Sequence, residues 1–326
     1  MFSVVILLIS LIVLDKASHM TITNAVKVSE ITGLAKTTIG FTLIAFSTSL
    51  PELSVAVFSA FLGTVGVSIG NVLGSNIVNV CLIMGLGVLL ATLKHSKPLK
   101  DKVPAMPKEE LESLYAGLFI ASIIPLSLIY IAYASQFVGF LLLTVFALYT
   151  YQLLRAKKPM EETETGGSVH EEERSKLRRY VVLTFAGIIS VVASSYFIVD
   201  SASNIADMLG VPRSLIAATI IAFGTSLPEF SLDVRAIIKG EPALAFGDIV
   251  GSNFVNVTLI LGVTLVASPL TIDMRIFSDL VIFSIISNLL LWYFLTTGRM
   301  GRREGAILLF IYALFLATTF GAIQIR

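Results

Sequence analysis

The sequence predicts an all-α polytopic membrane protein with ten transmembrane helices, arranged as two inverted five-helix repeats with broken helices at the midplane. Three observations predict it: long apolar runs, an internal duplication, and an odd number of runs in each copy. Of 326 residues, 56% are hydrophobic and 14% charged, and the mean hydropathy is +0.89. That is too apolar for a water-soluble domain of this length, so the lipid bilayer is the solvent for most of the chain.

At about twenty apolar residues per crossing, ten segments are expected: 2–29, 37–62, 67–92, 113–134, 137–155, 179–207, 214–238, 244–267, 275–296 and 304–322. The first lacks the cationic start and small-residue cleavage site of a signal peptide and is read as a span. Residues 1–155 form the first repeat, 156–178 a cytoplasmic linker, and 179–326 the second repeat. The linker is rich in Glu and carries the Gly166-Gly167 pair, a composition suited to a mobile connection.

Lysine and arginine are retained on the cytoplasmic side of short loops. With the N-terminus outside, seventeen of them fall in inside connectors, from Lys36 through the 94–108 and 155–179 clusters to Arg303. Only Arg213, Arg275 and Arg326 fall outside. The expectation is a multi-pass protein of the cell membrane with both termini extracellular. Net charge is +1, and charges sit in blocks between apolar runs, so there is no basic face for nucleic acid. Cys81 is the sole cysteine; inside an apolar run it reads as a small buried hydrophobe.

A shift of 177 places residues 40–85 on 217–262 without a gap, with 22 of 46 positions identical. The first copy reads T-L-I-A-F-S-T-S-L-P-E-L-S from Thr42 and G-N-V-L-G-S-N-I-V-N-V from Gly70. The second reads T-I-I-A-F-G-T-S-L-P-E-F-S from Thr219 and G-D-I-V-G-S-N-F-V-N-V from Gly247. With five spans per half, the second copy enters from the opposite face, and matched segments meet near the bilayer centre.

Glu52 and Glu229 lie within these segments, yet no Lys or Arg occurs in 37–92 or 214–234. A carboxylate at membrane depth without a counter-ion costs a few kcal/mol and needs compensation. Pro51 and Pro228 immediately precede the two glutamates. A proline within a helix removes a hydrogen bond and frees carbonyl oxygens, here around Ala45 to Thr48 and Ala222 to Thr225. Helical spacing gathers Thr48, Ser49 and Glu52 on one side of that break, and likewise Thr225, Ser226 and Glu229. Ser75 with Asn79 and Ser252 with Asn256 are each four apart. Hydroxyl, amide and carboxylate oxygens, with no thiolate or imidazole, suit hard cations such as Na⁺ and Ca²⁺. Two carboxylates neutralise one divalent ion, and the same oxygens shared among monovalent ions give competition, hence antiport. Gly70, Gly74, Gly247 and Gly251 are spaced to let spans pack closely.

The doubled S/G-T-S-L-P-E and G-S-N-x-V-N motifs resemble the two alpha-repeats of the calcium/cation antiporter superfamily, most of all its sodium/calcium exchanger branch. That resemblance implies exchange of Na⁺ for Ca²⁺ in an electrogenic cycle, with no cofactor and no catalysis. It implies a calcium site of Glu52 and Glu229 with the carbonyls of Thr48 and Thr225. Sodium sites would use Ala45, Ser49 and Ser75 in one copy and Ala222, Ser226 and Ser252 in the other, with Asn79 and Asn256 facing the centre. The first and sixth spans resemble the pair that slides to switch access. Two departures stand out. Some relatives, including potassium-dependent exchangers, place an aspartate at the position of Asn256; its absence argues against K⁺ co-transport. Asp248 replaces the Asn71 of the first copy, as a pathway residue or a helix cap. Asp15 and Asp200 have no repeated partner and read as packing or crevice residues.

Two rivals follow from the same residues. Buried glutamates also exchange protons, which gives an H⁺/Ca²⁺ antiporter, against which the pairs Thr48-Ser49 and Thr225-Ser226 offer extra oxygens for a dehydrated Na⁺. Ala245-Phe246-Gly247-Asp248 with Asp200 faintly resembles the pair of an intramembrane aspartyl protease, which would have no use for a duplicated proline-glutamate break. The orientation is directly testable: an epitope tag at either terminus should be labelled on intact cells, and labelling that requires permeabilisation would reverse it.

Overall fold

In lipid, backbone N–H and C=O groups must find partners within the chain, which leaves helices as the economical solution for these apolar runs. A computed structural model describes residues 2–32, 48–94, 108–129, 133–156, 170–239, 242–268, 270–271, 274–298 and 300–324. These are helical except for short turns and a two-residue antiparallel ladder that pairs Tyr133 with Thr271 and Ala134 with Leu270.

The helices are α1 (Phe2–Thr32), α2 (Leu50–Phe61), α3 (residues 65–94), α4 (Lys108–Ile129), α5 (Gln136–Ala156), α6 (His170–Leu209), α7 (residues 213–225), α8 (Leu227–Lys239), α9 (residues 242–267), α10 (Met274–Thr297) and α11 (Arg302–Gln324). Among the described residues, six helices are long and apolar enough to cross a membrane, or seven if α7 and α8, bent by 54° at their junction, count as one span. Leu50–Phe61, Tyr115–Leu128 and Gln136–Gln152 are shorter apolar helices. The second expected segment, 37–62, is described only from residue 48.

Four boundaries differ from expectation by three residues or more. α1 runs on to Thr32, and the fourth segment begins at Lys108 and stops being helical at Ile129, giving way to the ladder at 133–134. Residues 170–178, expected in the linker, are helical and continuous with α6; Glu, Lys and Arg there are good helix formers, so propensity outweighs polarity.

Wide π-helical turns interrupt α3 at Val78–Met84, α7 at Ala217–Ile221 and α9 at Asn256–Ile260. Such turns often mark functional positions. Those in α3 and α9 occur at equivalent places in the repeat, carrying Asn79 and Asn256.

α3 and α9 form the centre. In their most apolar windows 72% and 83% of residues are buried, against 29% in α1 and α6 and 22% in α11. The outer helices turn large apolar side chains outward, among them Phe137, Phe185, Ile189 and Phe310, a surface that suits acyl chains and not water. The apolar interior falls into two clusters. The larger joins α3, α9, α10 and their neighbours. The smaller is made by α1 and α6 with Val55, Val67, Ile216, Ala217 and Ile221. Lys27 of α1 also lies over the Tyr180 ring of α6, 5.0 Å from its centroid.

Gly70 and Gly74 bring α3 against α7: a Cβ on Gly70 would overlap the Ser214 carbonyl, and one on Gly74 the Ala218 carbonyl. Gly74→Ala should lower the thermal stability of the purified protein by about 1–3 kcal/mol, the usual range for overpacking. Gly321→Ala, where nothing lies within 4 Å of the added carbon, should leave the unfolding curve unchanged.

Candidate functional site: a buried oxygen cluster between the repeats

The two chain breaks have nearly the same geometry. Ser49 sits at φ −81°, ψ 7° before α2, and Ser226 at φ −83°, ψ 13° between α7 and α8. Pro51 and Pro228 therefore occupy the first turn of a new helix, where the missing N–H does least harm. The break falls at Ser49 and Ser226, two residues ahead of the prolines. Thr225 thus ends one helix while Glu229 opens the next, so the expected grouping of Thr, Ser and Glu on one side of the break is corrected. The result brings opposite helix ends together. Glu52 and Glu229 lie in first turns, where the helix dipole favours negative charge, while the carbonyl end of α7 favours a cation. Pro228 cannot donate to the carbonyl four residues back, at Gly224.

The site residues are deeply buried. Glu52, Glu229, Thr48, Ser49, Ser226, Asn79 and Asn256 are each 1% exposed, and Thr225, Ser75, Ser252 and Ala222 are 0% exposed. Ala45 lies outside the described residues.

Hydrogen bonds between the halves come in mirrored pairs. Thr48 Oγ1 donates to Asp248 Oδ1 at 3.4 Å, and its equivalent Thr225 Oγ1 donates to Asn71 Oδ1 at 3.1 Å. The hydroxyls of Thr48 and Ser252 lie 3.3 Å apart, and those of Thr225 and Ser75 3.5 Å. Asn79 Nδ2 donates to Asn253 Oδ1 at 3.2 Å, and Asn256 Nδ2 to Asn76 Oδ1 at 2.9 Å. Asn76 Nδ2 also reaches the carbonyl of Asn253, its own equivalent, at 3.4 Å, which puts these two matched residues in direct contact. The asparagines at 76 and 253 were not among the expected site residues, although the G-S-N motif displayed them.

The symmetry ends at the carboxylates. Glu52 Oε1 accepts from Ser75 Oγ at 3.4 Å and from Ser226 Oγ, across the interface, at 3.3 Å. The reciprocal Ser49 Oγ has no partner, nor do Glu52 Oε2, Glu229 Oε2, Asn79 Oδ1 and Asn256 Oδ1. A buried oxygen without a donor is costly, and here several are gathered in one place. Among the described residues the one salt bridge is Arg213–Asp207 at 2.6 Å, at the surface where α6 meets α7. Among these residues no base pairs with a central carboxylate. Nor do three His, Cys, Asp or Glu side chains converge as a metal-holding group among these residues. The oxygens come mostly from neutral groups, with charge supplied in pairs, a set suited to passing cations through.

The sequence model of the sodium/calcium exchanger protein family matches residues 2–155 and 179–321. The chain belongs to this family. The sodium/calcium exchanger MaX1 of Methanosarcina acetivorans is 30% identical over 347 residues, covering 97% of each chain. The inner membrane protein YrbG of Escherichia coli is 30% identical over 297 residues, covering 87% of this chain and 86% of its own. Among solved structures, the sodium-calcium exchanger NCX_Mj soaked with 10 mM Na⁺ and zero Ca²⁺ is 25% identical, with TM-score 0.66 over 97% of this chain and 98% of that one.

As a sodium/calcium exchanger family member, the chain is a multi-pass membrane antiporter, and the duplicated motifs that marked the family are those that build the oxygen cluster. Asp248 is a member of that cluster through Thr48, not a helix cap, and Asp233, unnoticed in the sequence, is buried beside it. The signal for Asp233 was its spacing, one turn after Glu229. Asp200 is exposed and accepts from Asn204 at 3.3 Å. Cys81 is buried, with its sulfur 3.0 Å from Ser287 Oγ. Asn253 joins Asn76, Asn79 and Asn288. Asn253→Ala should therefore destabilise the exchanger by about 1–3 kcal/mol, the cost of leaving buried polar groups unpaired, measured by thermal unfolding in detergent.

Proposed function

We propose that this exchanger carries Na⁺ and Ca²⁺ in opposite directions across the cell membrane by alternating access at Glu52 and Glu229. In this reading, ten spans form two inverted five-helix repeats, 1–155 and 179–326, joined by the cytoplasmic linker 156–178, with both termini outside. The observation that carries it is the mirrored hydrogen bonding between halves around buried carboxylate oxygens that have neither donor nor base. The ladder joining 133–134 to 270–271 supports the topology, since it needs an even number of crossings between those points. Four are expected.

Calcium would bind Glu52 and Glu229 with the backbone carbonyls of Thr48 and Thr225. Sodium ions would take Ala45, Ser49 and Ser75 on one side and Ala222, Ser226 and Ser252 on the other, with Asn79 and Asn256 at the centre. The physics of coupling follows from charge. An empty site buries two carboxylates and is costly to occlude, whereas one Ca²⁺, or Na⁺ ions sharing the same oxygens, offsets that charge. Only the loaded carrier then crosses readily, and one ion moves in exchange for the other. The separate apolar cluster of α1 and α6 supports these two helices as the moving pair.

An outward Na⁺ gradient should drive radioactive Ca²⁺ uptake into proteoliposomes loaded with NaCl. Glu52→Gln and Glu229→Gln should each cut that uptake about 100-fold, corresponding to roughly 3 kcal/mol. Uptake driven by a pH gradient alone and indifferent to Na⁺ would assign the coupling to protons.

A further inference from the structure

Two buried carboxylates within the second repeat have no acidic counterpart in the first. Asp233 lies one turn beyond Glu229 on α8, and Asp248 one turn before Ser252 on α9; the first half has Ala56 and Asn71 at the equivalent positions. Asp233 is 0% exposed and Asp248 4%. Neither oxygen of Asp233 meets a donor, and neither does Asp248 Oδ2. The two carboxyl groups are within hydrogen-bonding reach of each other, on two helices that pack together, each one turn from a residue of the oxygen cluster. Arg235, two residues further along α8, is exposed and makes no salt bridge with either aspartate.

Two carboxylates so close, shielded from water and from any base, repel unless something positive lies between them. The partner that Asp248 has is a hydroxyl, that of Thr48, and oxygen is the ligand preference of hard cations. Their position is also defined. α8 and α9 are joined through residues 240–241, so the end of α8 and the start of α9 lie toward one face of the bundle. Both aspartates are displaced from the central glutamates toward that face. Thr48, bonded to Asp248 and adjoining Ser252, links the two places.

We propose that Asp233 and Asp248 form an additional site for a hard cation, a station between the central glutamates and the face of the α8–α9 connection that the first half of the molecule lacks. The proposal rests on the exchanger reading, because it draws its ion from the two that are exchanged. It makes the cycle unequal from its two sides: ions arriving from that face meet four acidic side chains in succession, Asp233, Asp248, Glu229 and Glu52, and ions from the other face meet only the glutamates.

The test is equilibrium binding of radioactive Na⁺ and, separately, Ca²⁺ to the purified full-length protein. The variants are Asp233→Ala and Asp248→Asn, which install the residues the first half already carries, and each is compared once its gel-filtration profile matches wild type. Each variant should bind about one fewer cation per chain than wild type, while in Asp233→Ala the Ca²⁺ binding that is lost on Glu52→Gln in the wild-type background persists. A deficit in the Na⁺ arm identifies the occupant as sodium, and one in the Ca²⁺ arm as calcium. If both variants bind as much of each ion as wild type, the aspartates share a proton and the station does not exist. If wild type binds neither ion, the exchanger reading fails together with it, a result distinct from failure of the station alone. Should one variant not fold, the other carries the same comparison.

Discussion

A carboxylate held in a dry interior with no base nearby is the constraint on which the rest of this structure depends. Glu52 and Glu229 are 1% exposed, and the sole salt bridge among the described residues is at the surface. Burial of an unpaired charge is among the most unfavourable arrangements a fold can contain. It persists here beside helix ends and hydroxyls that favour negative charge. The broken helices aim positive ends at the carboxylates, and serine hydroxyls donate to Glu52.

Duplication explains how one chain assembles such a place. A single copy of the motif would bring one glutamate, one chain break and a few hydroxyls, with nothing to face them. Two copies supply each other's partners, so that Thr48 finds Asp248 and Ser252 where Thr225 finds Asn71 and Ser75. Departures from that symmetry are then informative. Glu52 is clasped by Ser226 while the reciprocal Ser49 is unpartnered, so the two halves of the cluster are in different states within one molecule.

Much of this was legible in the sequence because the signals were of kinds that sequence carries well. Apolar run length marked the helices, a gapless shift of 177 marked the repeat, and a proline beside an uncompensated glutamate marked the break. The missed features depend on three-dimensional context. Nothing in the composition of Val78–Met84 or Asn256–Ile260 announces a π turn, because the extra residue per turn is set by packing against neighbouring helices. Asp233 escaped because attention to duplicated residues passes over a position where the first copy has Ala56. The break was placed at the prolines when it belongs to Ser49 and Ser226, since proline tolerates a first helical turn. His170 to Arg178 was expected as linker because charge was weighed above helix propensity.

The contact of α3 with α7 through Gly70 and Gly74 has a mechanical consequence. There, main chain rests on main chain with no side chain between, so the seam has no rotamers to exchange and no volume to redistribute. Such a junction transmits displacement without yielding. In the proposed exchange cycle it would serve as an anvil, against which softer, side-chain-lubricated surfaces elsewhere do the shifting.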